Sequence, residues 1–169
     1  MPDAAAWELT KRNVSASFQL FDAHLDDVAK DDWFRMPDEG VTHVAWQAGH
    51  IAIATYGIGL NLQRGDSPAD ADLQLDNYKE LFGKGSTPSA DVSIYPSAEE
   101  IHTAVKQVFA QVEREMVEWN PKDLDVALET PFPMFGTRFE AFAFLPAHNF
   151  MHYGQITLLR RLHGNAPLR

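Results

Sequence analysis

Residues 146–164 read PAHNFMHYGQITLLRRLHG and set two histidines, His148 and His152, four positions apart in an otherwise apolar helical stretch. Extended toward the N-terminus, the same period gives an inward stripe of Phe142, Leu145, His148, His152, Ile156 and Leu159, one face of an amphipathic helix. Thr137 with Glu140 makes a capping box at its start, and Gly164 and Asn165 end it. Pro146 lacks the N–H that would bond back to Phe142. A kink just before the histidine pair is therefore expected, or a helix that begins in two segments.

Three upstream stretches repeat this helical period. From Asp3 to Lys30, the residues Val14, Phe18, Phe21, Leu25 and Val28 share a face. After a turn through Met36, Pro37, Asp38, Glu39 and Gly40, Thr42 reads as the N-cap of a second helix running to about Gln63, with Trp46, His50, Ile53, Gly57 and Leu60 on one stripe. Residues 64–96 are rich in Gly, Ser, Pro and Asp and read as a long connection, with a short helical turn between Leu73 and Phe82. Ser97 and Glu100 form a second capping box. Ile101, Val105, Val108, Val112 and Met116 follow on one face, and Asn120 and Pro121 stop the helix.

Four amphipathic helices of about 20 residues, each about 30 Å long, with no credible strands, predict an all-α four-helix bundle forming a single domain over 1–169. The longest connection lies between helices two and three. A segment of that length can carry the chain back along the bundle, which gives an up-down-down-up order.

Composition narrows the function. The chain has 169 residues, 45% of them hydrophobic, and a net charge of -10, so phosphate backbones and anionic membranes would repel most of its surface. No targeting segment and no run long enough to span a membrane is legible, so a cytoplasmic protein is expected. There is no cysteine, which excludes disulfides, thiolate ligands and a cysteine nucleophile. A metal would have to be held by His, Asp or Glu.

In the expected order helices two and four are antiparallel. His50 lies about two turns into its helix, while His148 and His152 lie about three to four turns before the end of theirs, at comparable depth. Residues at i and i+4 stack on one helix face, so two imidazoles can reach one ion while a third arrives from the facing helix. Three protein ligands with open positions are the pattern of a catalytic metal rather than of a closed structural site. A lone histidine on an apolar face is more often a core residue bonded to a carbonyl, and an HxxxH pair also arises by chance. Two on one stripe raise the stakes, because each unpaired buried nitrogen costs about 1–3 kcal/mol.

PAHNFMHYGQI at 146–156, with the single upstream AWQAGHI at 45–51, resembles the DinB-like superfamily of metalloenzymes. The resemblance covers helix order, length and the long connection. It implies that His50, His148 and His152 are metal ligands and that Gly154 and Gln155 continue the signature. It also implies homodimers and a divalent ion, zinc or nickel first and iron or manganese after them. Tyr153 stands where relatives often carry Arg, which puts any anion or thiol contact made by that Arg in question.

No catalytic residue is assigned; Gln155 and Tyr153 are the candidates nearest the motif. Gln155 fits a group orienting a ligand and equally a polar residue at a helix boundary. Gly154 reads as a packing residue at a close backbone approach. Asp22 and Asp26 are weak candidates to support the ligands from behind. His43 reads as an exposed first-turn residue or the mouth of a pocket. Glu99 and His102 form one Glu-x-x-His pair without the partners a di-iron site needs. In the aromatic stretch TPFPMFGTRFEAFAF (130–144), the phenylalanines read as core or dimer-interface residues, with 131–136 a candidate flap over an apolar ligand. Two functions remain open. One is a metal-dependent transferase or hydrolase acting on a small molecule, with any thiol supplied by a cosubstrate. The other is a non-catalytic bundle whose metal or ligand is structural or sensory.

Overall fold

The computed structural model describes residues 3–38 and 41–166; Glu39 and Gly40 of the expected turn lie outside the described residues. The protein is mostly helical, with one small two-stranded sheet among the described residues. Helix α1 spans Ala4–Asp26 and is capped by Asp3, whose carboxylate accepts from Ala6 N at 2.7 Å. Its stripe of Val14, Phe18, Phe21 and Leu25 is buried as the periodicity predicts, and Val28 is buried just beyond its end. A 3₁₀ turn, Lys30–Asp32, follows.

Helix α2, Val44–Tyr56, is capped by His43 rather than Thr42. Nδ1 of His43 accepts from Trp46 N at 3.1 Å, the bond an Asn side chain makes at such a position, while the Thr42 hydroxyl accepts from Gln47 Nε2 at 3.0 Å. The expectation of an exposed His43 is thereby overturned. Its ring is fully buried against Phe34 and Tyr95. The stripe expected on α2 is only partly buried: Leu60 is in the core, but Trp46, His50 and Ile53 sit at a half-buried edge, and Val44, Ala45, Ala48, Ile51 and Ala52 are buried instead. The helix continues through a π turn, Gly57–Asn61, into α3, Leu62–Arg64.

The long connection contains a 3₁₀ turn, Pro68–Leu73, helix α4, Tyr78–Phe82, and a second 3₁₀ turn, Val92–Ile94. Arg64 ties it to the core, bonding Asp70 at 2.6 Å and Glu115 at 2.6 Å. Helix α5, Ala98–Met116, and helix α6, Arg138–Leu162, both carry the predicted capping boxes. Helix α6 runs through Pro146 as one element.

Between α5 and α6 lies what the sequence reading missed, the antiparallel strands β1, Ala127–Phe132, and β2, Phe135–Thr137. The phenylalanine run at helical spacing pointed away from strands, and a paired strand carrying proline is uncommon away from a sheet edge. The hairpin holds because its base is clamped: Glu140 Oε2 accepts from Gly136 N at 2.7 Å and from Thr137 N at 3.2 Å, while Arg138 N and Phe139 N donate to Val126 and Leu124.

Contacts at the helix ends show how the long elements meet. The start of α1 meets the start of α6, with Trp7 5.6 Å from Phe142, and their ends meet where Tyr153 packs on His24 and Arg160 bonds Asp27 at 2.6 Å. Helices α2 and α3 meet α6 in the opposite sense, Gln47 of α2 with His152 and Gln63 of α3 with the Arg138 carbonyl. Phe18 of α1 stacks on Phe109 of α5 at 4.0 Å.

Helix α4 packs on α2 through a glycine. A Cβ on Gly49 would lie 2.5 Å from Cγ of Phe82, inside van der Waals contact with a ring that is fully buried. We predict that Gly49→Ala costs about 1–3 kcal/mol by overpacking, a fall of about 2–4 °C in melting temperature per kcal/mol for a chain of this size. An unchanged thermal melt would show that α4 is not held against α2 in this way.

Candidate metal centre

His50 enters from α2, and His148 and His152 enter from α6. Each offers one nitrogen to a group in which the three atoms lie within 4.8 Å of one another, so the trio could hold a metal ion. The ring centroids are 4.6 Å apart for His50 and His152, 4.6 Å for His148 and His152, and 5.4 Å for His50 and His148. The i, i+4 spacing sets His148 and His152 side by side on one face of α6.

The rear nitrogens of two rings are fixed by neighbours. Nδ1–H of His50 donates to the Phe82 carbonyl at 2.7 Å, and Nδ1–H of His152 donates to Oε1 of Gln47 at 2.6 Å. The Gln47 amide is oriented by its own N–H bond to Thr42, which turns its oxygen toward the imidazole. With the proton on Nδ1, each ring presents the Nε2 lone pair on its far side. Nε2 of His152 and Nδ1 of His148 are buried without a protein partner. Trp46 stacks on His50 at 5.0 Å and is itself held by a bond from Nε1 to Ser86 Oγ at 3.0 Å.

Burial keeps all three imidazoles neutral. It lowers the pKa of His50, and it takes His148 to about 4 and His152 to about 3, with the neighbouring imidazoles adding to both shifts. Neutral imidazole is the form that donates to a cation.

The aromatic stretch reaches this group. Phe132 stacks on Phe135 at 4.8 Å, Phe135 lies 5.6 Å from Phe144, and Phe144 lies 6.1 Å from His148. A line of rings thus runs from the hairpin to His148, although Phe132 and Met134 are exposed rather than core.

The remaining candidates go elsewhere. Tyr153 donates its hydroxyl to Nε2 of His24 at 2.8 Å and faces α1. Gln155 is exposed and lines a cleft of about 370 Å³ with Trp46, Gln47 and Leu159, a lining that includes none of the three histidines. A Cβ on Gly154 would meet nothing within 4 Å, so the expected close backbone approach is absent there. Asp22 pairs with His102 at 2.7 Å and Asp26 lies 3.7 Å from Lys106, so neither supports the trio. The residues that do, Gln47 and Phe82, were not singled out. Gln47 stands three positions before His50, one helical turn away, and that spacing was the legible signal. The Phe82 carbonyl left none.

The three-histidine group on two facing helices defines a class, and the chain belongs to the DinB superfamily, whose family model matches residues 14–156 and so spans all three histidines. No curated protein and no solved structure matches the chain. Among the described residues no helix is long and apolar enough to cross a membrane.

Two predictions follow from the geometry. Gln47→Leu removes the acceptor behind His152, so for zinc added to the three histidines the expected outcome is an affinity about 10–100-fold lower than that of the wild type, read by competition with a chromophoric chelator; unchanged affinity would remove Gln47 from the site. The folded pKa values of His148 and His152 lie below the unfolded value of about 6.5, so the unfolded chain takes up protons first as pH falls. The metal-free protein therefore loses stability between pH 6.5 and about 3. His43, lowered to about 4 by burial, adds to the loss. Melting in a chelator checks this, with a flatter profile expected for a variant carrying both His148→Gln and His152→Gln.

Proposed function

We propose that the chain is a divalent-metal-dependent enzyme in which His50, His148 and His152 hold the ion and the remaining coordination positions receive a small-molecule substrate. The observation that carries this reading is the convergence of three neutral imidazoles, two of them with their rear N–H already bonded to Phe82 and Gln47. The donor set fits a cation: two buried nitrogens, Nδ1 of His148 and Nε2 of His152, have no protein partner, an arrangement that costs stability unless something bonds them. No carboxylate belongs to the group among the described residues. Imidazole donors suit zinc and nickel ahead of manganese, with iron also accommodated.

When bound, such an ion supplies Lewis acidity, stabilising a small-molecule thiol as thiolate for transfer to an electrophile or activating water near neutral pH. The chain contains no cysteine, so the thiol is a cosubstrate's. The protein's own contribution is positional. Gln47 and the Phe82 carbonyl fix the tautomers of two ligands, Trp46 covers one face of His50, and Phe144 flanks His148 on the hairpin side.

We also infer that α1, α2, α5 and α6 form an up-down-down-up bundle. Support comes from like ends meeting between α1 and α6, and between α2–α3 and α5 at the Arg64–Glu115 bond, with opposite ends meeting between α2 and α6. A homodimer is favoured by the exposed Met151, Leu158 and Leu162 on α6.

Elemental analysis of untagged protein grown in metal-replete medium tests the central reading. About one ion per chain is expected for the wild type, as for a three-ligand site, with loss of the ion in His148→Ala. A wild type without a stoichiometric ion would overturn the proposal. An ion retained in His148→Ala would place it elsewhere.

A further inference from the structure

Lys30, in the turn after α1, reaches a buried histidine on α5. Its Nζ donates to Nδ1 of His102 at 2.8 Å, and Nε2–H of His102 donates to Oδ1 of Asp22 at 2.7 Å. The carboxylate accepts and the ammonium donates, so the imidazole tautomer is fixed, with its lone pair directed at the lysine. His102 is 5% exposed and lies 5.6 Å from the ring of Trp33, while Nζ of Lys30 sits 3.8 Å over that same ring. None of these residues belongs to the three-histidine group.

Amine, imidazole and carboxylate in series are the elements of an activated nucleophile: a base within hydrogen-bond reach and a third group that orients the base. Lys30 also lines a cavity of about 430 Å³ together with Phe34, Tyr95, Pro96, Asp31 and Glu99. Burial lowers the Lys30 amine from the usual lysine value, with Asp26, Glu99 and Asp22 pulling against that shift and Lys106 adding to it; burial also lowers His102, and there the bond to Asp22 pulls the other way.

We propose that Lys30, His102 and Asp22 form a second reactive centre, in which Nζ of Lys30 condenses with a neutral, apolar aldehyde or ketone held in this cavity to give an imine. The ammonium passes a proton to Nδ1 of His102, and the resulting imidazolium is held by the Asp22 carboxylate. The freed lone pair attacks the carbonyl carbon, forming the C–N bond as the carbonyl π pair moves to oxygen. A nitrogen proton travels through His102 to that oxygen. The carbinolamine then takes the proton left on His102 and expels water as the C–O bond breaks. One ammonium and one carbonyl give one protonated imine and one water, with no oxidant or reductant. Phe34, Tyr95 and Pro96 supply apolar walls, and Asp31 and Glu99 disfavour an anionic partner.

Reductive trapping tests this. The full-length protein is incubated with benzaldehyde and cyanoborohydride at neutral pH, and modified lysines are mapped by peptide mass spectrometry. Lys30 is half-buried, so access alone would make it slower than exposed Lys79 and Lys84. The proposal expects it instead to react about tenfold faster than the five other lysines, Lys11, Lys79, Lys84, Lys106 and Lys122. Asp22→Asn removes the carboxylate that holds the imidazolium and should abolish that advantage, while loss of its charge near Lys30 shifts the pH dependence of labelling downward. Far-ultraviolet circular dichroism establishes that this variant is folded, and Lys30→Arg identifies the labelled position. Labelling of Lys30 at or below the rate of Lys79, or an advantage unchanged in folded Asp22→Asn, would overturn the proposal.

Discussion

Gln47 of α2 accepts the Nδ1–H of His152 of α6 at 2.6 Å, and this bond between antiparallel helices is the constraint on which the site depends. It sets the register of the two helices and the tautomer of His152 together. His50, one turn beyond Gln47, is thereby carried to within 4.6 Å of the His152 ring. A slip of one residue between α2 and α6 would turn Gln47 away and leave two buried nitrogens of His152 unpaired instead of one.

Around that bond the structure builds outward in shells of different character. Trp46 and the Phe82 carbonyl hold His50 from the connection side, with Phe82 seated on Gly49. That connection is anchored rather than loose: Arg64 bridges Asp70 and Glu115, and its guanidinium holds the Asp70 carboxyl below the ordinary range. From the other side Glu140 clamps the hairpin base, setting Phe135 against Phe144 and Phe144 near His148. The acidic surface implied by the net charge of -10 thus encloses a neutral, aromatic interior around the imidazoles.

What could be read from sequence divides along physical lines. Stripes on α1, α5 and α6 were legible because one face of each packs and the other is wet, so burial follows a 3.6-residue period. Helix α2 is covered by α4 as well as by α5 and α6, and a helix buried on several sides loses its period, which is why Trp46, His50 and Ile53 proved to be an edge. Capping boxes at Ser97 and Thr137 were readable as local patterns; His43 was not, because an imidazole acts as a cap only when tertiary packing places it. The hairpin escaped for a similar reason, since its clamp depends on backbone groups of Leu124 and Val126 that carry no sequence signal. The three histidines themselves were legible from spacing and depth, whereas the carbonyl behind His50 comes from a residue 32 positions away.

The central claim is that three imidazoles from two helices share one cation and leave coordination positions open. X-ray absorption at the zinc edge of the metal-loaded protein tests it most directly. The account predicts three imidazole nitrogens at about 2.0–2.1 Å with the shell completed by solvent oxygen. A shell with two or fewer imidazoles, or one closed by a protein carboxylate, would contradict it.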